Sequence, residues 1–218
     1  LGDALGHTAQ GAELAERLGH PPQLKLMVGD VRDPERVHEA LGRIDTVIHA
    51  AALKRVDLVS HDPLEIMKTN FLGTVNVVRA AVQRNGPRVL GISSDKSAAP
   101  STRYGLSKAA AEEYAVHANA QGHPRVRIAV VRYGNVAGSQ GSVIPLWCRQ
   151  AAQGEPLTLT DERMTRFWIT MPEAIRFVLQ SLKDMRGGEV LIPRLSASRL
   201  LDLAEAIGEH RAAGVDGL

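Results

Sequence analysis

Three side chains of the sequence have types and spacing suited to proton transfer: Ser94, Tyr104 and Lys108. Tyr104 and Lys108 are four residues apart, so on a helix they lie on one face, one turn from each other. A tyrosine has an ordinary pKa of about 10, and a nearby ammonium lowers it, so that the phenolate can take a proton from a substrate hydroxyl. Tyr-x-x-x-Lys also recurs by chance on many helices. The serine that ends the preceding apolar run favours the chemical interpretation, because ligands bind at the carboxyl ends of parallel strands.

Apolar runs that alternate with amphipathic stretches predict the elements that hold these residues. The runs are typical of strands buried on both faces of a parallel sheet, and they cover 24–28, 46–49, 88–93 and 126–132. Helices are predicted to start after Asp33 and Asp62, each followed by proline, with Glu65 placed to complete a capping box. The second of these helices is expected to end near 85, and a third to cover 101–122. Regular alternation predicts an α/β fold with a doubly wound parallel sheet.

The composition changes after Arg132, where glycines and a proline crowd a loop. We therefore expect two units, residues 1–133 and residues 134–218. The second unit is predicted to contain helices at 143–154, 172–184 and 197–207 and strands at 156–159 and 189–192. Trp147 and Trp168 are interpreted as core or interface residues.

Composition excludes several classes of protein. The 218 residues are 44% hydrophobic and 23% charged, with a formal net charge of +2, so nothing favours a nucleic-acid partner. No apolar stretch approaches the ~20 residues of a membrane span. The single Cys148 cannot form an internal disulfide, and no Cys/His cluster has zinc spacing. We expect a cytoplasmic protein with a metal-free site.

Several motifs resemble the extended short-chain dehydrogenase/reductases that act on nucleotide sugars. Ser94, Tyr104 and Lys108 match the catalytic triad of that superfamily. A narrower resemblance, to the inverting UDP-N-acetylglucosamine 4,6-dehydratases of the polysaccharide biosynthesis group, covers roughly residues 24 to 207. It rests on the segments 50–54, 68–70, 94–96, 131–136, 138–139 and 163–170.

The resemblance implies a Rossmann fold that binds NADP or NAD, with the catalytic residues within residues 1–133 and a partial substrate-binding portion in residues 134–218. It also implies a UDP-sugar substrate and a homo-oligomer. Asp95 and Lys96 would be the acid and base that eliminate water, although a solvated turn is the ordinary interpretation of such a dipeptide. The implied cofactor contacts are Asp30, Val31, Ala50, Ala51, Ala52, Lys54, Asn70, Tyr104 and Lys108.

The resemblance also implies substrate contacts at Lys54, Asn135, Ser139, Arg163 and Arg166. Some of the residues assigned by the resemblance also have an interpretation that involves no ligand. Lys54 after a strand is more often solvated, and an arginine beside Phe167 and Trp168 can stack on an aromatic face instead of binding phosphate. Asn70 can equally bond to a neighbouring backbone within its helix, and His49 is expected to be a packed core residue.

The sequence departs from the family at both ends. A glycine-rich phosphate loop normally opens the fold, but the glycines at 2, 6 and 11 do not follow an apolar strand. We therefore expect the first strand, helix and strand to be lacking, residues 1–20 to form the helix that follows them, and the 208–218 end to be shortened. Such a chain would bind NAD(P) weakly or not at all and would be catalytically poor. A UDP-sugar 4-epimerase and an inactive fragment are the alternative functions.

Overall fold

The computed structural model describes residues 26–54, 62–84, 86–121, 126–139 and 141–212. In these ranges the strands are β1 (Thr46–His49), β2 (Arg88–Ser94), β3 (Ile128–Tyr133), β4 (Asn135–Val136), β5 (Thr165–Ile169), β6 (Val190–Leu191) and β7 (Ala197–Arg199). The helices are α1 (Pro34–Ala40), α2 (Pro63–Ile66), α3 (Gly73–Gln83), α4 (Arg103–Gln121), α5 (Val143–Gln153), α6 (Met171–Asp184) and α7 (Leu200–Ala212). A π-helix (Met67–Leu72) joins α2 to α3, and a 3-10 turn (Asp95–Ser97) follows β2.

The main sheet has the strand order β1-β2-β3-β6, and every neighbouring pair is parallel. Successive residues of its strands face opposite sides of the sheet. Val89 and Ile128 pack with α1, α3 and α4, whereas Leu90 and Ala129 pack against α6. Helices therefore cover both faces, which confirms the predicted doubly wound α/β fold.

A smaller sheet and a third apolar cluster follow β3. Here β5 pairs in parallel with β4 and antiparallel with β7. Trp147, which is fully buried, is the centre of a cluster with Leu200 and Ile207 that joins α5 to α7. Since β6 returns to the main sheet, the chain after β3 contributes to both sheets. The division at 133 itself stays a prediction.

Both aspartates that were expected to cap helices do so. Asp33 accepts hydrogen bonds from the backbone amides of Glu35 and Arg36, and Asp62 does the same at the start of α2. The capping box is not formed as expected, because the Glu65 carboxylate binds the side chains of Arg32 and Lys68 instead.

Three of the predicted elements are wrong. Residues 26–28 are irregular, with Leu26 and Val28 exposed, because no strand among the described residues lies beside them to share hydrogen bonds. Residues 156–159 are also irregular, since the Thr158 backbone bonds to the Trp147 and Gln150 side chains. The expected helix at 197–207 starts only at Leu200, because 197–199 pairs with β5. Residues 1–20, and the expected start of the first strand at Leu24, lie outside the described residues.

Candidate active site

A cleft of about 740 Å³ opens at the carboxyl ends of β1, β2 and β3. The segments that follow these strands line it together with the first turns of α4, as expected for ligand binding by an open parallel sheet. Nine of the residues singled out in the sequence lie on its wall: Ala50, Ala52, Lys54, Ser94, Lys96, Tyr104, Lys108, Asn135 and Ser139.

The end of β2 carries a connected chain of polar groups. The Ser94 hydroxyl donates to Oδ1 of Asp95 at 3.0 Å, and the Lys96 ammonium donates to the same oxygen at 3.0 Å. Lys96 also donates to Oδ1 of Asn135 at 3.2 Å, which links β2 to β4 across the cleft. Asp95 and Lys96 are therefore paired with each other, and the Asp95 side chain is bonded to the Ser94 hydroxyl.

Tyr104 and Lys108 both face the cleft from one side of α4. Burial raises the pKa of Tyr104 above its ordinary value of 10.0, and a hydrogen bond with Ser94 works in the opposite direction. Burial lowers the pKa of Lys108 to about 8, partly opposed by the nearby Glu112 carboxylate. The Lys108 ammonium donates to the carbonyl of Ile92 at 2.6 Å. The pKa of Tyr104 is therefore raised rather than lowered as expected, because burial is the largest cause of its shift.

Asn70 fixes α4 against the loop that follows β1. It is 1% exposed and lies in the π-helix, where its side chain bonds to both the amide and the carbonyl of Leu53 at 2.7 and 3.0 Å. Its Nδ2 also donates to the hydroxyl of Ser107 at 2.9 Å. Asn70 therefore lies beneath the cleft and joins the segment 50–54 to the helix of Tyr104, rather than bonding only within its own helix.

His49 ends β1 in the core, as expected. It is 7% exposed, and its Nε2 lies 3.0 Å from the hydroxyl of Thr74. That hydroxyl donates to the carbonyl of Asn70, so it accepts from His49. Burial, assisted by the charge of Lys108, lowers the pKa of His49 to about 4 and keeps the ring neutral near pH 7.

The other expected cofactor contacts lie in a turn before α1 and at an exposed loop position. The Arg32 guanidinium bonds to both carboxylate oxygens of Asp30 and holds its pKa below the usual range. Val31 packs on Gly73 of α3 so closely that a Cβ at position 73 would overlap it. Ala51 is exposed. Asp30, Val31 and Ala51 are not part of the cleft wall, and their role in cofactor binding stays a prediction.

The two expected phosphate ligands also lie away from the cleft wall. Arg163 pairs with Asp161, and 89% of its side chain is exposed. Arg166, on β5, donates to the carbonyl of Thr165. Their role in substrate binding stays a prediction.

Several residues of the site were not identified from the sequence. Thr102, Tyr133 and Met171 line the cleft, and the buried Glu112 lies one helical turn beyond Lys108. Its position in the sequence, four residues after Lys108 and eight after Tyr104, was the one available signal. Thr102, Tyr133 and Met171 come from three different elements, and only the fold brings them together.

The fold and the cleft define a Rossmann-type extended short-chain dehydrogenase/reductase. The model of the polysaccharide biosynthesis protein family matches residues 11–215, and the chain belongs to that family. It is 39% identical over 199 residues to the inverting UDP-N-acetylglucosamine 4,6-dehydratase of Campylobacter jejuni subsp. jejuni serotype O:2, covering 90% of this chain and 60% of that protein. It is 40% identical over 187 residues to a UDP-glucose 4-epimerase of Rickettsia canadensis, covering 85% and 55%. The chain thus spans about 60% or less of the length of these relatives.

Solved structures share the fold. Pen from Bacillus thuringiensis superimposes with a TM-score of 0.86 at 34% identity, covering 93% of this chain and 65% of that one. The dTDP-glucose 4,6-dehydratase DesIV from Streptomyces venezuelae, solved with NAD and TYD bound, gives a TM-score of 0.80 at 23% identity, covering 90% and 66%. Within the described residues, no helix combines the length and the apolar character needed to cross a membrane.

Proposed function

We propose that this chain carries the catalytic residues of a nucleotide-sugar 4,6-dehydratase that acts on UDP-N-acetylglucosamine. One observation carries the proposal most strongly: Asp95 and Lys96 are bonded to each other, Asp95 is bonded to Ser94, and Lys96 lines the cleft with Tyr104. A reaction confined to C4 needs only Ser94, Tyr104 and Lys108. An elimination across C5 and C6 needs a further acid and base.

The walls of the cleft fit a nicotinamide dinucleotide. Ala50 and Ala52 give a flat approach beside β1, and Tyr104 and Lys108 supply the polar groups that a ribose and nicotinamide would meet. Lys54 extends the same wall. A nicotinamide held there by these residues would supply the acceptor for the C4 hydride and its return to C6. We propose NADP as the physiological form, with NAD as the alternative.

The first step assigned to the side chains is removal of the C4 hydroxyl proton. Tyr104 takes this proton while Ser94 holds the hydroxyl, and C4 becomes a ketone as its hydride leaves. Burial raises the pKa of Tyr104, so the phenol must first release its own proton to solvent before the phenolate can take the proton of the C4 hydroxyl. The positive charge of Lys108, one turn away on the same face of α4, stabilises that phenolate.

The second step is the loss of water. The new ketone acidifies the C5 proton, and one member of the Asp95–Lys96 pair removes it. The other member donates a proton to the C6 hydroxyl, which leaves as water and gives a double bond between C5 and C6. Return of the hydride to C6 and of a proton to C5 completes the 4-keto-6-deoxy sugar, so that the net change is the loss of one water molecule.

A UDP-sugar 4-epimerase is the second candidate, since a relative that is 40% identical carries that name. The two functions differ in the mass of the product. We expect incubation of the complete protein with UDP-N-acetylglucosamine and NADP to give a nucleotide sugar lighter by one water in mass spectrometry. A product of unchanged mass with inverted C4 would support the epimerase and contradict the dehydratase.

A further inference from the structure

The carboxylate of Glu112, on α4, bonds to side chains of two other elements near the cleft, β3 and the 3-10 turn. It is 5% exposed, on the same face of α4 as Tyr104 and Lys108. Arg132 of β3 binds both of its oxygens, through Nη2 to Oε2 and through Nε to Oε1 at 3.2 Å. The hydroxyl of Ser97 binds Oε1. A buried carboxylate is tolerated only when it is paired and hydrogen-bonded in this way.

Ser97 is the last residue of the 3-10 turn that carries Asp95 and Lys96. Its hydroxyl lies 2.6 Å from the carbonyl of Ser94 as well as against Glu112, so one hydroxyl hydrogen serves two acceptors. Ser97 thereby closes the turn on itself and fastens it to α4. The two ends of the Asp95–Lys96 dipeptide are held by groups that face the interior, while the Lys96 ammonium faces the cleft.

Glu112 is 5% exposed and its oxygens are already bonded to Arg132 and Ser97, so we assign it no direct contact with the substrate. It acts instead on the groups that do face the cleft. Its charge opposes the lowering of the Lys108 pKa by burial, and its bond to Ser97 ties the turn to α4.

We propose that Glu112 is a positioning residue. Through its bond to Ser97, it holds Asp95 and Lys96 in the position relative to Tyr104 that the elimination step requires. The inference rests on the proposed dehydratase function. Ser94 is also held as the last residue of β2, and the helix of Tyr104 is also held by the bond from Asn70 to Ser107, so oxidation at C4 depends less on the Ser97–Glu112 bond than elimination does. Loss of that bond frees the turn that carries the elimination pair.

The test compares the two half-reactions in Ser97→Ala, with Ser97→Thr as the variant that keeps the hydroxyl. Release of deuterium from C4-labelled UDP-N-acetylglucosamine to the cofactor in a single turnover reports oxidation, and release of water reports elimination. We expect Ser97→Ala to slow elimination by about tenfold or more while oxidation is little changed, since small misplacement of catalytic groups has costs of that order. Reduced cofactor would then accumulate during the turnover. Ser97→Thr should recover elimination.

A matched control is Glu113→Gln, on the exposed face of the same helix, which should leave both half-reactions unchanged. Glu112→Gln should slow elimination as Ser97→Ala does, and the double variant should be no slower than the worse single variant. Equal losses of both half-reactions in Ser97→Ala, or no loss of either, would overturn the inference. If the unmutated protein forms no 4-keto-6-deoxy product, the proposed function fails instead, before any variant is compared.

Discussion

Gly105 packs so closely against Lys96 that a Cβ atom at position 105 would overlap the Lys96 carbonyl oxygen. The first turn of α4 and the 3-10 turn after β2 therefore touch backbone to backbone. This contact sets the separation between Tyr104 on the helix and the Asp95–Lys96 pair on the turn. Position 105 requires glycine because there is no room for a Cβ atom. Its φ is not in the left-handed region, so backbone conformation is not the reason.

Replacement of this glycine by alanine should impair activity despite the better helix propensity of alanine. We expect Gly105→Ala to lower kcat by about a hundredfold, because the Lys96 backbone must shift to admit the methyl group. The measurement is the rate of water loss from UDP-N-acetylglucosamine. Gly208→Ala is the control, since a Cβ there meets nothing within 4 Å. It should keep full activity and stabilise α7 by about 0.5–1 kcal/mol. Equal activities of the two variants would contradict the proposed contact.

The Lys96→Ala variant separates the two half-reactions. Lys96 bonds to Asp95 and Asn135 but not to the tyrosine that takes the C4 proton, so its loss should abolish elimination and leave some C4 oxidation. Absorbance of reduced cofactor and mass spectrometry of the sugar product follow the two steps separately. Full yield of the 4-keto-6-deoxy product from this variant would disprove the assignment of Lys96.

Asn70→Ala should destabilise the protein, because one side chain supplies three hydrogen bonds to Leu53 and Ser107. We expect a loss of about 2–4 kcal/mol in the free energy of unfolding, measured by urea titration. Asn76→Ala is a suitable comparison, because Asn76 donates one bond, to the Val31 carbonyl at 2.9 Å. Its cost should be about 1 kcal/mol. A smaller loss for Asn70→Ala than for Asn76→Ala would show that Asn70 does not join the β1 loop to α4.

His49 should make stability depend on pH in mildly acidic solution. Its pKa is lowered from 6.5 to about 4 in the folded protein, so the unfolded chain binds more protons between those values. The contribution of the neutral His49 ring to the free energy of unfolding is fully present above pH 6.5 and is lost as the pH falls towards 4. From pH 7.5 to pH 5 we expect a loss of about 2 kcal/mol from this residue. His49→Gln should lack that component in parallel urea titrations. An unchanged pH dependence in the variant would show that His49 titrates normally.

The main sheet could be predicted from the sequence because its strands are short apolar runs and because aspartate and proline mark the starts of α1 and α2. Thr46–His49 was predicted with its correct bounds. The segment at 197–207 could not be predicted in the same way, because its first residues have a strand partner, β5, that only the tertiary fold supplies. Local pattern does not report such partners.

Some residues of the candidate site could likewise be predicted from the sequence, and others could not. Tyr104, Lys108 and Ser94 could be found because helical spacing and a strand end place them on one cleft. Ser97 and Arg132 could not be found, since their importance depends on Glu112, to which both bind. Arg163 and Arg166 were expected at the substrate because of their chemistry, and the structure places both away from the cleft wall.

The most direct test of the proposed dehydratase follows a deuterium atom from C4 of UDP-N-acetylglucosamine. A dehydratase removes this atom as hydride and returns it within the same molecule to C6. We predict a product that has lost one water and carries the deuterium in its C6 methyl group, observed by mass spectrometry and proton NMR. A product of unchanged mass with the deuterium still at C4 would contradict the account, because it is the outcome of epimerisation.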